Sequence, residues 1–235
     1  MLEIRLAQTP REKEQVFKLR YQTYVEELGY TQNYANHQQH KIEEPLDELG
    51  NIFVAFKDGE LVGTVRCNYA CSSDLEYYVA LYKMSEIAKD IHPNNTSIST
   101  KLMTKTHLRG STMALRIMQA NYNQLLLDQI KFDFIDCEPH MIAFFQRLGY
   151  QPIDMIIHPE YGSGLAMMLD VFNLQHLEVI KSPFQRLYRN FVESKELPIS
   201  EAIGLVGNVA ATNSARCDSH SHYRSLQRSD SLETP

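Results

Sequence analysis

The 235-residue sequence lacks the features that mark membrane, secreted and metal-binding proteins. No apolar run approaches the roughly 20 residues that a membrane-spanning helix needs. The first residues, from Met1 to Arg5, lack the apolar core of a signal peptide. The four cysteines have no metal-type spacing and are too few for a disulfide scaffold. We therefore expect a cytoplasmic protein with free thiols, no transmembrane segment and no bound metal.

Acidic side chains are missing from one long window of an otherwise acidic chain. The sequence holds 29 Asp and Glu against 23 Lys and Arg, a net charge of −6, which predicts no nucleic-acid partner. Between Ile91 and Leu127, however, there is no Asp or Glu. The basic residues of this acid-free window are Lys101, Lys105, Arg109 and Arg116. The local charge predicts an anionic ligand or an acidic partner at this window.

The acid-free window contains a predicted strand, a turn and a helix. Polarity alternates from Ser97 to Met103 as in a strand, and helical periodicity begins after Thr112. The first N–H groups of a helix have no partner inside it and carry partial positive charge, and Gly110 lets the backbone approach a ligand. The turn therefore predicts a phosphate site, with a capped helix and solvated basic residues as the alternative. The residues assigned to this site are Lys105, Arg109, Gly110 and Ser111.

The order of the predicted elements indicates a mixed α/β fold. A strand comes first, and the capping box Thr9-Pro10-Arg11-Glu12 begins a helix. A hairpin follows around Asp58–Gly59, a helix is expected over Asp74 to Lys89, and helices then alternate with strands up to a last pair of strands. A final amphipathic helix begins after Ser182-Pro183. We expect a core domain over residues 1–180, a C-terminal amphipathic helix region over 181–204 and a disordered tail over 205–235.

Several segments, taken in order, resemble one branch of the GNAT acyltransferase superfamily. They include Leu19-Arg20-Tyr21, Val62-Gly63-Thr64-Val65-Arg66, Arg109-Gly110-Ser111 and His158-Pro159. Over roughly residues 1–190 the chain is similar to the N-acyl amino acid synthases and the related acyl-homoserine-lactone synthases. The resemblance implies a GNAT fold, with a mixed central sheet flanked by helices. It also implies an N-acyltransferase that moves a medium or long acyl chain to the amine of an amino acid.

The resemblance implies a donor but no bound cofactor. The donor would be acyl-ACP, with acyl carrier protein as the partner, or acyl-CoA, and its phosphopantetheine phosphate would lie at Arg109, Gly110 and Ser111. The backbone N–H groups of Leu102 and Met103 would hold the thioester carbonyl. An apolar slot for the acyl chain has candidate residues in Met84, Ile87, Met103, Phe144, Phe145, Met167 and Met168.

Candidates for the acceptor and for proton transfer come from polar residues at unexpected places. Arg20 and Arg66 interrupt apolar patterns. A guanidinium suits a small-molecule acceptor's carboxylate, so either arginine could grip it or could form a structural ion pair. The acidic partners proposed for them are Glu44 and Asp47. Glu138, His140 and His158 are candidate proton acceptors near the reaction centre.

Three departures from the family patterns leave alternatives open. The phosphate turn is shortened, and Phe145 stands where the family often has the tyrosine that protonates the leaving thiolate. The segment Ile98-Ser99-Thr100-Lys101 stands where lactone synthases have Glu-x-Ser-Arg, which argues against that activity and leaves the base unassigned. The alternatives are an acyl-homoserine-lactone synthase and a GNAT-fold protein that binds acyl thioesters without turnover.

Overall fold

A computed structural model of the chain describes residues 1–195. In chain order its helices and strands are β1 Leu2–Leu6, α1 Pro10–Tyr21, β2 Ala35–Asn36, β3 Lys41–Ile42, β4 Asn51–Lys57, β5 Glu60–Tyr69, α2 Glu76–Leu81, α3 Met84–Ala88, β6 Thr96–Thr104, α4 Met113–Leu127, β7 Phe132–Cys137, α5 Ile142–Leu148, β8 Gln151–His158, β9 Gly162–Asp170, α6 Leu174–Val179 and α7 Gln185–Lys195. Seven strands form one sheet in the order β1-β4-β5-β6-β7-β9-β8. The predicted mixed α/β sheet is confirmed.

Local signals in the sequence start two of the elements. The Thr9 side chain accepts the N–H of Glu12, whose carboxylate accepts the Thr9 N–H, so a capping box starts α1. The β4–β5 hairpin turns at Asp58 and Gly59, both of which have positive φ. Both features follow the sequence prediction.

Helices cover the two faces of the sheet. On one face, Val16 of α1 packs with Ile52 of β4, and α3 packs with Ile98 of β6. On the other face, α4 lies so close to β5 that a Cβ at Gly63 would come within 2.7 Å of Ile117. The two faces of the sheet therefore pack against different helices, and successive residues of a strand point alternately to α1 and α3 or to α4.

The sheet splits between β6 and β7. These strands run parallel but pair only from Thr96 and Phe132 to Ile98 and Phe134, and beyond that point they no longer pair with each other. On the other side of β6, Thr100 pairs with Arg66 of β5 and Met103 pairs with Thr64. Lys101 and Leu102 therefore lie opposite the single residue Val65. This β-bulge, with Lys101 at φ +58°, interrupts the predicted alternation and opens a cleft between the strands.

Other differences from the sequence prediction are local. The helix expected over Asp74 to Lys89 divides into α2 and α3, because Lys83 between them has a left-handed backbone. Helix α6 was not predicted. Residues Met1–Tyr188 form one compact unit. Helix α7 falls in the predicted C-terminal helix region over 181–204. The predicted domain boundary at residue 180 stays a prediction. The predicted tail over 205–235 lies outside the described residues. Within residues 1–195, no helix has the length and apolar character needed to cross a membrane.

Candidate active site

The cleft between β6 and β7 has a volume of about 320 Å³. Seven candidates proposed from the sequence line it: Leu102, Met103, Arg109, Glu138, His140, Phe145 and His158. The four proposed acceptor residues, Arg20, Glu44, Asp47 and Arg66, do not line it, nor do Lys105, Gly110 and Ser111. The site predicted from the sequence is therefore divided between the cleft wall, the turn beside it and a buried ion cluster.

The strand register separates the two amides proposed to hold the thioester carbonyl. The N–H of Lys105 donates to the carbonyl of Val62 at 2.9 Å, and the register stays constant back to Met103 opposite Thr64. Because hydrogen bonds alternate along an antiparallel ladder, the Met103 N–H points to Thr64 and is already used. Leu102 lies in the bulge, where the ladder is disrupted. The geometry therefore favours Leu102 over Met103 as the amide that faces the cleft.

The turn before α4 presents free backbone donors. Gly110 has φ +78° and open space where a side chain would lie. The Met113 N–H is capped by the Ser111 hydroxyl at 3.2 Å. Within the described chain, the other N–H groups at the start of the helix donate to no protein acceptor; they belong to Gly110, Thr112, Ala114 and Leu115. Such a helix start suits a phosphate, as the sequence indicated.

The basic residues proposed for the phosphate differ in position. The Arg109 guanidinium lines the cleft and pairs with Glu27, in the π-helical turn Gln22–Glu27 that follows α1. Lys105 pairs with Glu60 at the β4–β5 hairpin instead. Lys105 is therefore placed away from the cleft, because its side chain leaves the strand toward the hairpin, whereas Arg109 remains a candidate for the donor's phosphate.

Arg20 and Arg66 belong to a buried ion cluster. Arg20 Nη1 lies 2.7 Å from Asp47 Oδ2, and Arg66 Nη1 lies 2.7 Å from Glu44 Oε2 and 3.0 Å from Asp47 Oδ1. Both arginines are completely buried. Their guanidinium groups join α1 and β5 to the turn that holds the carboxylates, so the geometry favours the structural ion pair over direct contact with an acceptor.

One further cation connects this cluster to the cleft. Lys101 Nζ lies 2.6 Å from Glu44 Oε1, donates to the Tyr161 hydroxyl and sits 5.0 Å from the ring centroids of Tyr24 and Tyr161. Burial lowers the pKa of Lys101, although Glu44 opposes that shift. Burial also disfavours the ionised Glu44, but Lys101 and Arg66 outweigh it, and the pKa of Glu44 is lowered. Lys101 is thus the member of the cluster that faces the cleft.

Two of the proposed proton acceptors lie at the mouth of the cleft. The Tyr30 hydroxyl donates to Glu138 Oε1 at 3.2 Å, and His140 Nδ1 lies 3.5 Å from Glu138 Oε2. The side chains of Glu138 and His140 are 40% and 72% exposed. Both therefore sit where water competes for them, outside the protected part of the site.

The apolar part of the cleft uses only some of the predicted side chains. Met103 and Phe145 line it, together with Leu28, Leu102, Ala114 and Met141. Met84 and Met167 are completely buried elsewhere in the core. Phe145, at the position of the family's tyrosine, packs edge-on against Phe144 and Tyr150 and has no proton to give to a thiolate.

Three functional candidates were missed in the sequence: Lys101, Tyr161 and Asp136. In the sequence Lys101 was only one of the basic residues of the acid-free window, although a lysine inside a predicted strand indicates a buried or functional cation. Asp136 is the last but one residue of the largely buried β7, and Tyr161 lies in the last hairpin loop. Within residues 1–195 no group of His, Cys, Asp and Glu could hold a metal ion, and Cys67 and Cys137 are free thiols.

A mixed sheet that splits beside a bulged strand, with a helix start at the end of the cleft, defines a GNAT-fold acyltransferase. Solved structures share this fold. BjaI, described as a CoA-dependent acyl-homoserine lactone synthase, has a TM-score of 0.62 at 17% identity, over 80% of this chain and 90% of that one. FeeM, an N-acyl amino acid synthase from uncultured soil microbes, has a TM-score of 0.61 at 15% identity, over 79% and 97%.

The family follows from the sequence match. The family model of the N-acyl amino acid synthase FeeM matches residues 15–170, and the chain belongs to this family. No curated protein matches the sequence. The family and fold predicted from the sequence are confirmed, and the chain is an N-acyltransferase.

Proposed function

We propose that this protein moves a medium or long acyl chain from a phosphopantetheine thioester to the amine of an amino acid. The observation that carries the proposal is the arrangement of one cleft. It has Arg109 and the free helix start of α4 at one end, the bulge at Leu102 along its wall, and the buried cation Lys101 on its acceptor side. The name of the family, N-acyl amino acid synthase, supports the same reaction.

The donor would lie along β6. Its phosphate would accept hydrogen bonds from Arg109 and the amides at the start of α4, and its acyl chain would contact Met103 and Phe145. The thioester carbonyl would accept the N–H of Leu102, which polarises the carbonyl carbon and stabilises the oxyanion that forms. Holding both reactants in the cleft supplies the orientation that aminolysis needs.

The reaction breaks one bond and forms another. The neutral amine attacks the carbonyl carbon, the C–N bond forms, and the C–S bond breaks to release the thiolate. Because Phe145 cannot donate a proton, the thiolate takes its proton from the attacking amine or from water. The products are an N-acyl amino acid and a free phosphopantetheine thiol.

Acyl carrier protein is the proposed donor, with acyl-CoA as the other source of the same thioester. Arg109 and Arg116 lie in a stretch without acidic residues, and an acidic carrier surface complements such a stretch. Docking of the carrier would weaken as salt increases, because exposed charges are screened within about 8 Å at physiological ionic strength. A salt titration of the rate with each donor separates the two sources.

The test is product analysis by mass spectrometry. Purified protein is incubated with acyl-ACP or acyl-CoA and a mixture of amino acids, and the lipids of overproducing cells are analysed in parallel. N-acyl amino acids support the proposal, and their loss in Arg109→Ala but not in Arg116→Ala, with acyl-CoA as the donor, ties them to the cleft. Donors that stay intact with every amino acid would refute it.

A second candidate is acyl-homoserine-lactone synthesis. The structures of BjaI and MesI, both described as CoA-dependent acyl-homoserine lactone synthases, favour it as neighbours of the same fold. The missing glutamate argues against it, because Ile98 is completely buried in the core. Addition of S-adenosylmethionine, with which BjaI is described in complex, tests it: acylated lactone would appear only if this candidate is right.

A further inference from the structure

We infer that Asp136, near the end of β7, binds the acceptor's amine and accepts its proton, and that Tyr82 positions the Asp136 carboxylate. This inference rests on the proposed function and names the base that the sequence left unassigned. An amino acid's amine is protonated near neutral pH and must lose that proton before it can attack a thioester.

The other titratable groups of the cleft are poorly suited to this task. Lys101 forms an ion pair with Glu44 at 2.6 Å, and the ammonium group in that pair has no lone pair to accept a proton. Glu138 and His140 lie at the exposed mouth and contact one another. Both side chains would exchange protons with water, and they lie too far out to contact an amine in the part of the cleft that is protected from water.

His158 is buried, but it presents a donor. Only 6% of its surface is exposed, and its ring stacks on Tyr161 with 4.4 Å between centroids. The backbone N–H of Glu160 donates to His158 Nδ1 at 3.1 Å. A backbone N–H can only donate, so Nδ1 carries no proton and the neutral ring carries its proton on Nε2. Burial lowers the pKa of His158, which keeps the ring neutral. His158 therefore offers an N–H to a ligand and cannot act as the base without losing its bond to Glu160.

Asp136 has the properties that the other groups lack. It lies two residues beyond Phe134, where β7 has parted from β6, and it lines the cleft on the same face of the strand as Phe134. The hydroxyl of the completely buried Tyr82 donates to Asp136 Oδ1 at 2.5 Å. In the described part of the chain, Oδ2 has no hydrogen-bond partner and Asp136 forms no ion pair. One carboxylate oxygen is thus held in place while the other is free to contact an amine.

The charges around Asp136 match those of a zwitterionic amino acid. Its carboxylate would contact the acceptor's ammonium group, and Lys101 and the His158 Nε2–H would contact the acceptor's carboxylate. The ammonium gives one proton to Asp136, and the neutral amine forms the C–N bond as the C–S bond breaks. The thiolate takes the second proton from the amine nitrogen, and Asp136 returns its own proton to water. No oxidant or further reactant is needed.

A pH experiment must take account of the titratable groups that face Asp136. They come from α2 and the residue after it, from the π-helical turn, from β7 and from β8, and they are Tyr77, Tyr78, Tyr82, Tyr24, Cys137 and His158. Burial raises the pKa of the four tyrosines and of Cys137, and it lowers that of His158. All of these shifts favour the uncharged forms, so a difference between Asp136→Asn and the wild type near neutral pH reports on position 136.

The experiment compares Asp136→Asn with the wild type from pH 6 to about pH 9.5, with an acyl-thioester donor and an amino acid. We expect kcat to fall about 100-fold or more near neutral pH, the typical contribution of a general base, with donor KM unchanged. The difference should shrink at high pH, because more amine is then neutral in solution. The matched control is Asp154→Asn, an exposed carboxylate on β8 paired with Lys83, which should leave the profile unchanged.

Tyr82→Phe provides a second readout that does not require loss of Asp136. Without the Tyr82 hydrogen bond the carboxylate is no longer fixed in place, so kcat should fall about 10-fold while the donor's KM stays unchanged. A purely structural role of Tyr82 would lower the free energy of unfolding and leave the kcat of the folded variant unchanged. If Asp136→Asn does not fold, an unchanged kcat in folded Tyr82→Phe overturns the inference.

The outcomes separate this inference from the proposed function. An active wild type matched by Asp136→Asn at every pH overturns the assignment of Asp136 and leaves the proposed function intact. A wild type that forms no acylated amino acid overturns the proposed function, and this assignment with it. A pH-dependent loss in Asp136→Asn supports both.

Discussion

Arg109 and Glu27, separated by 82 positions in the sequence, form an ion pair across the mouth of the cleft. Arg109 precedes α4, and Glu27 ends the π-helical turn after α1. The guanidinium proposed to bind the donor's phosphate is therefore already paired with a carboxylate. The phosphate and Glu27 compete for the same cation, so the two residues should have opposite effects on donor binding.

The first prediction concerns this competition. Arg109→Ala should weaken donor binding by about 10-fold to 100-fold, the loss of one charged hydrogen bond, while Glu27→Gln should strengthen it. Calorimetric titration with acyl-CoA measures both effects. Arg116→Ala removes an exposed cation on α4, outside the cleft, and is the matched control. Equal donor affinity in Arg109→Ala and the wild type would remove Arg109 from the site.

The second prediction concerns the backbone of the phosphate turn. Gly110 has φ +78° and Gly59, in the β4–β5 hairpin, has φ +84°, both with open space around the missing side chain. Alanine at either position should cost about 1–2 kcal/mol, because the left-handed backbone disfavours a Cβ. Only Gly110→Ala should also raise the donor's KM. If the two variants show the same KM, the turn has no role in donor binding.

The third prediction separates structure from binding at the buried ion cluster. Arg66→Ala leaves Glu44 and part of Asp47 buried without their partner and should lower the free energy of unfolding by about 3–5 kcal/mol. Lys83→Ala breaks an ion pair with both side chains about half exposed and should cost about 1 kcal/mol or less. Denaturant unfolding measures both. A stable Arg66→Ala protein with a raised acceptor KM would instead favour direct contact with the acceptor.

The fourth prediction concerns the pH dependence of stability. Asp133 is completely buried and accepts hydrogen bonds from Ser97, Ser99 and Tyr150, and burial raises its pKa to about 6. Because the folded state holds this proton more tightly than the unfolded state, ionisation of Asp133 lowers stability as pH rises from about 4 to about 6. Two pKa units correspond to about 3 kcal/mol.

The measurement for Asp133 is a comparison of unfolding free energies between Asp133→Asn and the wild type. The difference should move in favour of the variant by up to about 3 kcal/mol between pH 4 and pH 6, and stay constant above that range. Glu44 and Asp47, whose pKa values are lowered, act in the opposite direction in both proteins and cancel in the comparison. A constant difference over the whole range would show that Asp133 does not titrate there.

Much of the fold could be predicted from the sequence because its signals are local. The capping box of α1, the Asp58–Gly59 hairpin and the glycine turn before α4 each depend on a few adjacent residues, and each is present. The division of the helix over Asp74 to Lys89 could not be predicted, because a left-handed lysine at position 83 is set by its surroundings. The family motifs indicated the right family because their order along the chain is preserved.

The candidate site could be predicted only in part. The donor end depends on a continuous segment, so Arg109 and Gly110 could be named from the sequence, and their role in donor binding stays a prediction. The roles of Arg20 and Lys101 depend on burial and on partners from distant segments. A cation that binds a substrate carboxylate and a cation in a buried ion pair therefore look alike in the sequence. Asp136 was missed because a single aspartate at a strand end is a common feature.

The sequence by itself determined the family, the element order and a helix start prepared for an anion, since periodicity, turn residues and local charge are properties of neighbouring positions. The tertiary structure decided which groups face the cleft. The bulge at Lys101 and Leu102, the parting of β6 from β7 and the free oxygen of Asp136 arise from pairing between strands far apart in the chain. Strand pairing sets the direction of each side chain and amide, and that direction separates a catalytic group from a structural one.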